Sequence, residues 1–228
     1  MTFAQLHSLR DSYTEKRRRV IESYRRHLRP ETLLTALRRV TDQTLREILK
    51  SAPLPHQAAL AAVGGYGRGE LYPYSDIDVL ILLAQEPKGD DLARLEKLVA
   101  ALWDLGFEVG HSVRTIEDCQ REAANDITVE TALMECRWLA GSKPLLAQLA
   151  GTMASQRDPR AFFQAKRSEM QQRHTRHQDT PYALEPNCKE APGGLRDLMV
   201  LLWIAQASGT GHTWREIGQT DLLTPSEY

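Results

Sequence analysis

Cysteine is scarce in this chain. Cys119, Cys136 and Cys188 stand far apart and form no CxxC pair, which excludes zinc-finger spacing and a disulfide framework. Long apolar runs are missing as well. The stretch 79–84 falls far short of the roughly 20 residues that cross a bilayer, and the polar N-terminus has no apolar signal-peptide core. Together these absences predict a cytoplasmic protein with no membrane segment. Net charge is nearly absent too. The 29 Lys and Arg against 30 Asp and Glu leave −1, which argues against a general nucleic-acid binder.

What is present is a sequence of 228 residues, 42% of them hydrophobic. That suffices for one sizeable core with a helical appendage, or for two small domains. Charge is uneven along it. Residues 1–55 hold twelve Lys or Arg and six acids. Such a segment reads either as a solvated helical face or as a surface that steers an anionic partner.

Apolar spacing divides the chain into elements. Helical periodicity covers 3–29 and 31–50, broken at Pro30, with Leu6, Leu9, Tyr13, Val20, Tyr24 and Leu28 forming a stripe. A short buried strand is expected at 57–63 and a second at 76–83. Helix 91–105, strand 107–115, helix 126–136 and an edge strand at 137–140 follow. Beyond Lys143 the pattern is helical at 144–154, 159–177 and 195–207, with a Pro- and Gly-rich loop at 179–194. The expected class is α/β (α+β): a small mixed sheet with a helical arm at 1–55, a core at 56–142 and a helical domain at 143–228.

Chemistry concentrates at Gly64-Gly65, ten intervening residues, then Asp76-Ile77-Asp78. Glycines after a strand let backbone amides approach phosphate closely. The stretch lacks the lysine and spacing of GxxxxGK(S/T), and Glu70 breaks the dinucleotide fingerprint. Residues two apart on a strand share a face, so Asp76 and Asp78 present adjacent carboxylates while Ile77 and Val79 enter the core. Paired carboxylates with no intervening cation repel each other. Oxygen-only ligands suit Mg²⁺, shared with substrate phosphates.

This pattern resembles the polymerase-β-like nucleotidyltransferase superfamily. Three blocks in order sharpen the resemblance: GGYGRGELYPYSDIDVLIL from Gly64, EVGHSVRT at 108–115 and EPNCKEAPGGLRDL at 185–198. Together they are similar to the N-terminal region of the bacterial bifunctional protein-PII uridylyltransferase and uridylyl-removing family. The resemblance implies that Gly64 and Gly65 hold a triphosphate and that Asp76 and Asp78 bind metal and carry catalysis. Arg68 and Ser75 then touch phosphate or shape the turn. Lys189 and Arg196 either reach the nucleotide from a lid or make structural contacts. Implied ligands are UTP, with Mg²⁺ or alternatively Mn²⁺, and the PII nitrogen-signalling protein as acceptor; neither nucleic acid nor membrane is a partner.

Two departures bear on that implication. The superfamily usually carries a third carboxylate on a later strand. Here the central position of that face is Gly110; Glu108 is the substitute on that strand, Asp126 and Glu130 lie beyond it, and no third carboxylate is assigned. Ala191 stands where the resembled family more often has glycine, so a left-handed backbone there would be strained. His111 reads as a strand residue rather than a base, and His174 and His177 as solvated. Rival readings are an adenylyltransferase of the same superfamily and a non-catalytic module that keeps the fold. None of the seven histidines is followed by Asp, so the HD-type removing site of the resembled enzymes is not expected here. A truncated final domain is expected.

Overall fold

The computed structural model describes residues 3–104, 109–182, 184–185, 187–220, 223–224 and 226. It forms two compact units, Met1–Gly151 and Thr152–Tyr228.

The first unit is built on a four-stranded mixed sheet in the order β3-β2-β1-β4. Its strands are β1 (Ala59–Ala62), β2 (Ile77–Leu82), β3 (Val109–Arg114) and β4 (Arg137–Gly141). β1 runs antiparallel to β2 and to β4, while β2 and β3 are parallel. This is the expected mixed α/β class. All four residues of β1 are buried, and its Ala-Leu-Ala-Ala composition suits a central strand covered on both faces.

Helix α1 (Phe3–His27) packs on α2 (Pro30–Leu49), with Pro30 at the start of α2, where its missing N–H costs nothing. Tyr13, Leu33, Leu37, Leu45 and Ile48 from these helices join Ile77, Val79 and Ile81 of β2 in one core. Burial of each such side chain contributes about 1.5–3 kcal/mol. Helix α4 (Asp90–Asp104) adds Leu95, Leu98 and Leu102 to it. The first unit is completed by α3 (Gly64–Arg68), α5 (Ile116–Asn125) and α6 (Ile127–Met134), and α7 (Lys143–Gln156) crosses the division between units.

Three helices depart from the expectation, the short α10 (Trp214–Ile217) among them. α3 sits where a glycine turn is expected, and α5 is not among the expected elements. α5 opens on a reciprocal cap: Thr115 accepts from the Asp118 N–H at 3.2 Å, and Asp118 accepts from the Thr115 N–H at 3.0 Å.

In the second unit, α8 (Pro159–Arg176) pairs with α9 (Leu195–Ala207), followed by α10 (Trp214–Ile217). Arg173, with 2% exposure, is buried between them and donates to the Glu190 carbonyl oxygen and to Asp197. His174 Nε2 lies 3.0 Å from both Asp197 oxygens, so this histidine is partnered rather than solvated. Among the described residues no helix is long and apolar enough to cross a membrane.

Candidate active site

β1 ends at Ala62, and Val63 leads into α3 at Gly64. Gly64 has φ 58°, a conformation that disfavours any side chain. A Cβ built there would stand 3.9 Å from Asp78 Oδ2, so this turn faces the second aspartate directly. The Val63 N–H donates to the Asp78 carbonyl oxygen at 3.1 Å and ties the two strand ends together.

Asp78 is the second residue of β2 and is exposed, between buried Ile77 and Val79. Asp76 precedes the strand and is also exposed. Gly110 of β3 is the register partner of Asp78. A Cβ at Gly110 would fall 2.2 Å from Asp78 Oδ1. The side-chain volume missing at Gly110 is therefore filled by the Asp78 carboxylate, and no acid fits at this position. Of the other candidates for a third carboxylate, Glu108 lies outside the described residues. Asp126 caps α6, accepting from Thr128 N–H at 2.7 Å and Thr128 Oγ1 at 2.6 Å.

A cavity of about 330 Å³ opens beside Asp78. Val63, Gly64, Gly110, Ser112 and Arg114 line one side, and Thr128, Val129, Ala132 and Leu133 of α6 the other. Among the described residues Asp78 is the one acid and Arg114 the one arginine or lysine of that lining. Among the described residues Arg114 has no ion-pair partner for its side chain. Ser112 and Arg114 share the Asp78 face of β3 by alternation, a position readable in the sequence once register is known. His111 lines the rim and lies 3.4 Å from Trp103 Nε1 through Nδ1.

The glycine turn is held from behind. Gly67 packs so closely that a Cβ would stand 1.9 Å from the Glu135 carbonyl oxygen. Arg68 donates to Glu70 at 2.9 Å and to Glu135 at 2.5 Å. Burial lowers the Arg68 pKa, but Glu135 and Glu70 raise it further, and the net shift is upward. Tyr66 donates to Asp42 at 2.6 Å, and Arg137 donates to the same carboxylate at 2.8 and 3.0 Å. Burial, then Asp42, pushes the Tyr66 hydroxyl far above its ordinary range, so it stays a donor. Asp42, Tyr66 and Arg137 join α2, α3 and β4, and sequence reasoning singles out none of the three.

Ser75 closes a second turn at 72–75, its N–H donating to the Tyr72 carbonyl oxygen at 3.1 Å. Lys189 and Arg196 belong to the second unit. Lys189 is exposed, and Arg196 donates to Glu190 at 3.0 Å with its guanidinium 5.8 Å from the Trp203 ring. In the 187–194 segment the left-handed residue is Gly193, φ 78°, not Ala191. Cysteine takes no part in the cavity. Burial pushes the Cys119 thiol up to about 11 and that of Cys136 up to about 12, so both stay protonated.

Residues 43–138 match a family model described as a nucleotidyltransferase domain, and residues 161–228 one described as GlnD PII-uridylyltransferase. A Bordetella parapertussis protein named bifunctional uridylyltransferase/uridylyl-removing enzyme is 62% identical over 100% of this chain and 26% of its own. Like-named proteins of Cupriavidus pinatubonensis and Burkholderia lata are 56% and 47% identical over 86% and 96% of this chain, covering 23% and 26% of theirs. A solved toxin-antitoxin structure with AMP-PNP aligns over 57% of this chain and 93% of its own. That alignment has 18% identity and a TM-score of 0.32, too low to bear on the argument. The chain spans about a quarter of the length of the curated relatives it matches. With two family models matched in chain order and 62% identity from end to end, the whole of this chain is similar to about a quarter of the length of the bifunctional uridylyltransferase/uridylyl-removing enzymes.

Proposed function

We propose that this chain transfers a uridylyl group from UTP to a tyrosine of the PII protein, releasing pyrophosphate. The observation that carries the reading is the Asp78 carboxylate seated between Gly64 and Gly110, at the mouth of a cavity that holds Arg114. In a chain with that similarity, that is a place for a cation, a triphosphate and an open approach for an acceptor. Nucleotidyltransferase domains as a class use a divalent metal and a nucleoside triphosphate.

The donor set fits such a metal. Among the described residues no three His, Cys, Asp or Glu cluster to hold an ion, so Asp76 and Asp78 would offer two carboxylates and leave other positions open. That suits Mg²⁺, which keeps waters and takes substrate phosphates, and Mn²⁺ accepts the same oxygen donors. When bound, the cation lowers the pKa of the acceptor hydroxyl and neutralises charge on the departing pyrophosphate.

The protein's own groups divide the remaining work. Gly64 and Gly65 present bare backbone to the triphosphate. Arg114 offsets phosphate charge from within the cavity. Arg68, committed to Glu135 and Glu70, shapes the glycine turn, and Ser75 closes the 72–75 turn that leads into Asp76. The tyrosyl oxygen attacks the α-phosphorus in line while its hydroxyl proton passes to solvent, the α-phosphorus bond to the α–β bridging oxygen breaks, and pyrophosphate carries that electron pair away. Exposure of Asp76 and Asp78 leaves the acceptor free to approach from solvent. We place this activity in the cytoplasm.

The test supplies the chain with Mg²⁺, purified PII and each labelled nucleoside triphosphate in turn. Label should pass from UTP to PII. Label passing from ATP would make the protein an adenylyltransferase, and no passage from any nucleotide would make it a non-catalytic module.

A further inference from the structure

We propose that the groove between α1 and the turn at Pro73, Tyr74 and Ser75 docks an extended acidic segment of the protein acceptor. This deepens the transfer reading and rests on it for the acceptor's identity. The sequence places Arg10, Arg17 and Arg25 seven and eight residues apart, which puts them on one face of a helix. In the structure that face lines a groove of about 590 Å³, joined by Arg18 and walled opposite by the 73–75 turn.

The charge in this groove is not neutralised internally. Four arginines line it against one acid, Glu22. Arg18 is committed to Glu15 and Glu22. Arg17 donates to the Pro73 carbonyl oxygen, pinning helix to turn, while its buried Nε finds no hydrogen-bond partner. Arg10 and Arg25 are exposed and have no ion-pair partner among the described residues. From Arg10 to Arg25 the helix rises about 22 Å. An extended segment of about seven residues covers that distance, and a mononucleotide fills only part of it.

Position supplies the link to the chemistry. Ser75 and Ile77, the residues on either side of Asp76, both line the groove, and Tyr74 stands at its lip with 97% exposure. A peptide lying along α1 would deliver its next residues to the two aspartates without entering the cavity beside Asp78. A nucleic acid is disfavoured as the occupant, because the chain's net charge of −1 supplies no broad cationic field.

The test compares the wild-type chain with Arg10→Glu/Arg25→Glu and Arg10→Lys/Arg25→Lys. Unmodified PII is bound to each by interferometry at low and high salt. UTP and an oligothymidylate are titrated in parallel, and circular dichroism checks the fold. The glutamate variant should bind PII about tenfold or more weakly at low salt, with a flatter salt dependence and unchanged UTP affinity. The lysine variant should bind as wild type. PII binding that is absent in wild type or unchanged by charge reversal overturns the proposal. So does a loss confined to UTP or oligonucleotide binding. The label-transfer assay reads separately: PII docking at α1 with no label moved would refute the transfer reading and leave the docking surface standing.

Discussion

Gly110→Ala isolates the geometry on which the site depends. The added Cβ would sit 2.2 Å from Asp78 Oδ1, about 1 Å inside ordinary contact. The atom it meets is the far end of a short side chain, and Gly110 has no left-handed φ to strain. Relief therefore comes from turning the Asp78 carboxylate, and the stability cost should stay below about 1 kcal/mol. The catalytic cost is different. A displacement of about 1 Å in a group that positions the reacting centre costs on the order of 10²-fold in rate, or roughly 2.7 kcal/mol of barrier. Pyrophosphate release with PII, UTP and Mg²⁺ gives the rate, and urea unfolding gives the stability. The variant should fold as wild type, lose about two orders of magnitude in kcat, and recover little at raised Mg²⁺. A variant as active as wild type would show that the observed Asp78 position is not the working one.

Asp76→Asn and Asp78→Asn should each abolish label transfer while circular dichroism stays unchanged, since both side chains are exposed and neither substitution disturbs Ile77 or Val79. Gly67→Ala should do the opposite of Gly110→Ala, because its Cβ would meet the Glu135 backbone oxygen at 1.9 Å; unfolding should show a loss of about 3 kcal/mol. Asp197→Asn strips Arg173 of a carboxylate and should cost the second unit about 3 kcal/mol at pH 7 in urea unfolding. Burial raises the Asp197 pKa, but Arg173, His174 and the Gly193 N–H lower it more, leaving it below its ordinary 3.8. The stability this contributes is present above about pH 4 and is lost as pH falls through the depressed value, so the Asn variant should show a flatter acid limb.

The elements that were legible share a cause, and so do those that were not. α2, α9 and β2 announce themselves through apolar spacing, and their observed ends fall within a residue or so of expectation. α5 has only Ile116, Cys119 and Ala123 to bury, too small a stripe to stand out. Its signal was the Thr115–Asp118 capping pair. α3 holds three glycines in five residues, which opposes a helix locally. It forms because Asp42, Glu135 and Arg137, 24 to 71 residues away, fasten its tyrosine, arginine and backbone. Partners at such separations leave no local trace. Gly110 shows the same limit. Alternation put it on the aspartate face, where an acid was sought, and only the register with Asp78 shows why glycine stands there.

The commitments of the arginines sharpen the assignment of phosphate ligands within the first unit. A triphosphate carries more negative charge than one divalent cation neutralises, so the protein must supply further positive groups. Arg137 is held by Asp42, and Arg68 by Glu135 and Glu70. Drawing either toward phosphate would leave a partly buried carboxylate behind, at a cost comparable to what the new phosphate interaction contributes. Arg114 faces the Asp78 cavity with no such partner among the described residues, so it can bind phosphate without that penalty. Arg114→Gln should therefore raise the KM for UTP and leave the unfolding midpoint in place, whereas Arg68→Gln should lower the midpoint by removing the guanidinium that pairs with the largely buried Glu135 carboxylate. Measuring both variants by UTP titration and urea unfolding separates the two roles. A UTP KM unmoved in Arg114→Gln, with a stable fold, would return the phosphate-binding role to Arg68.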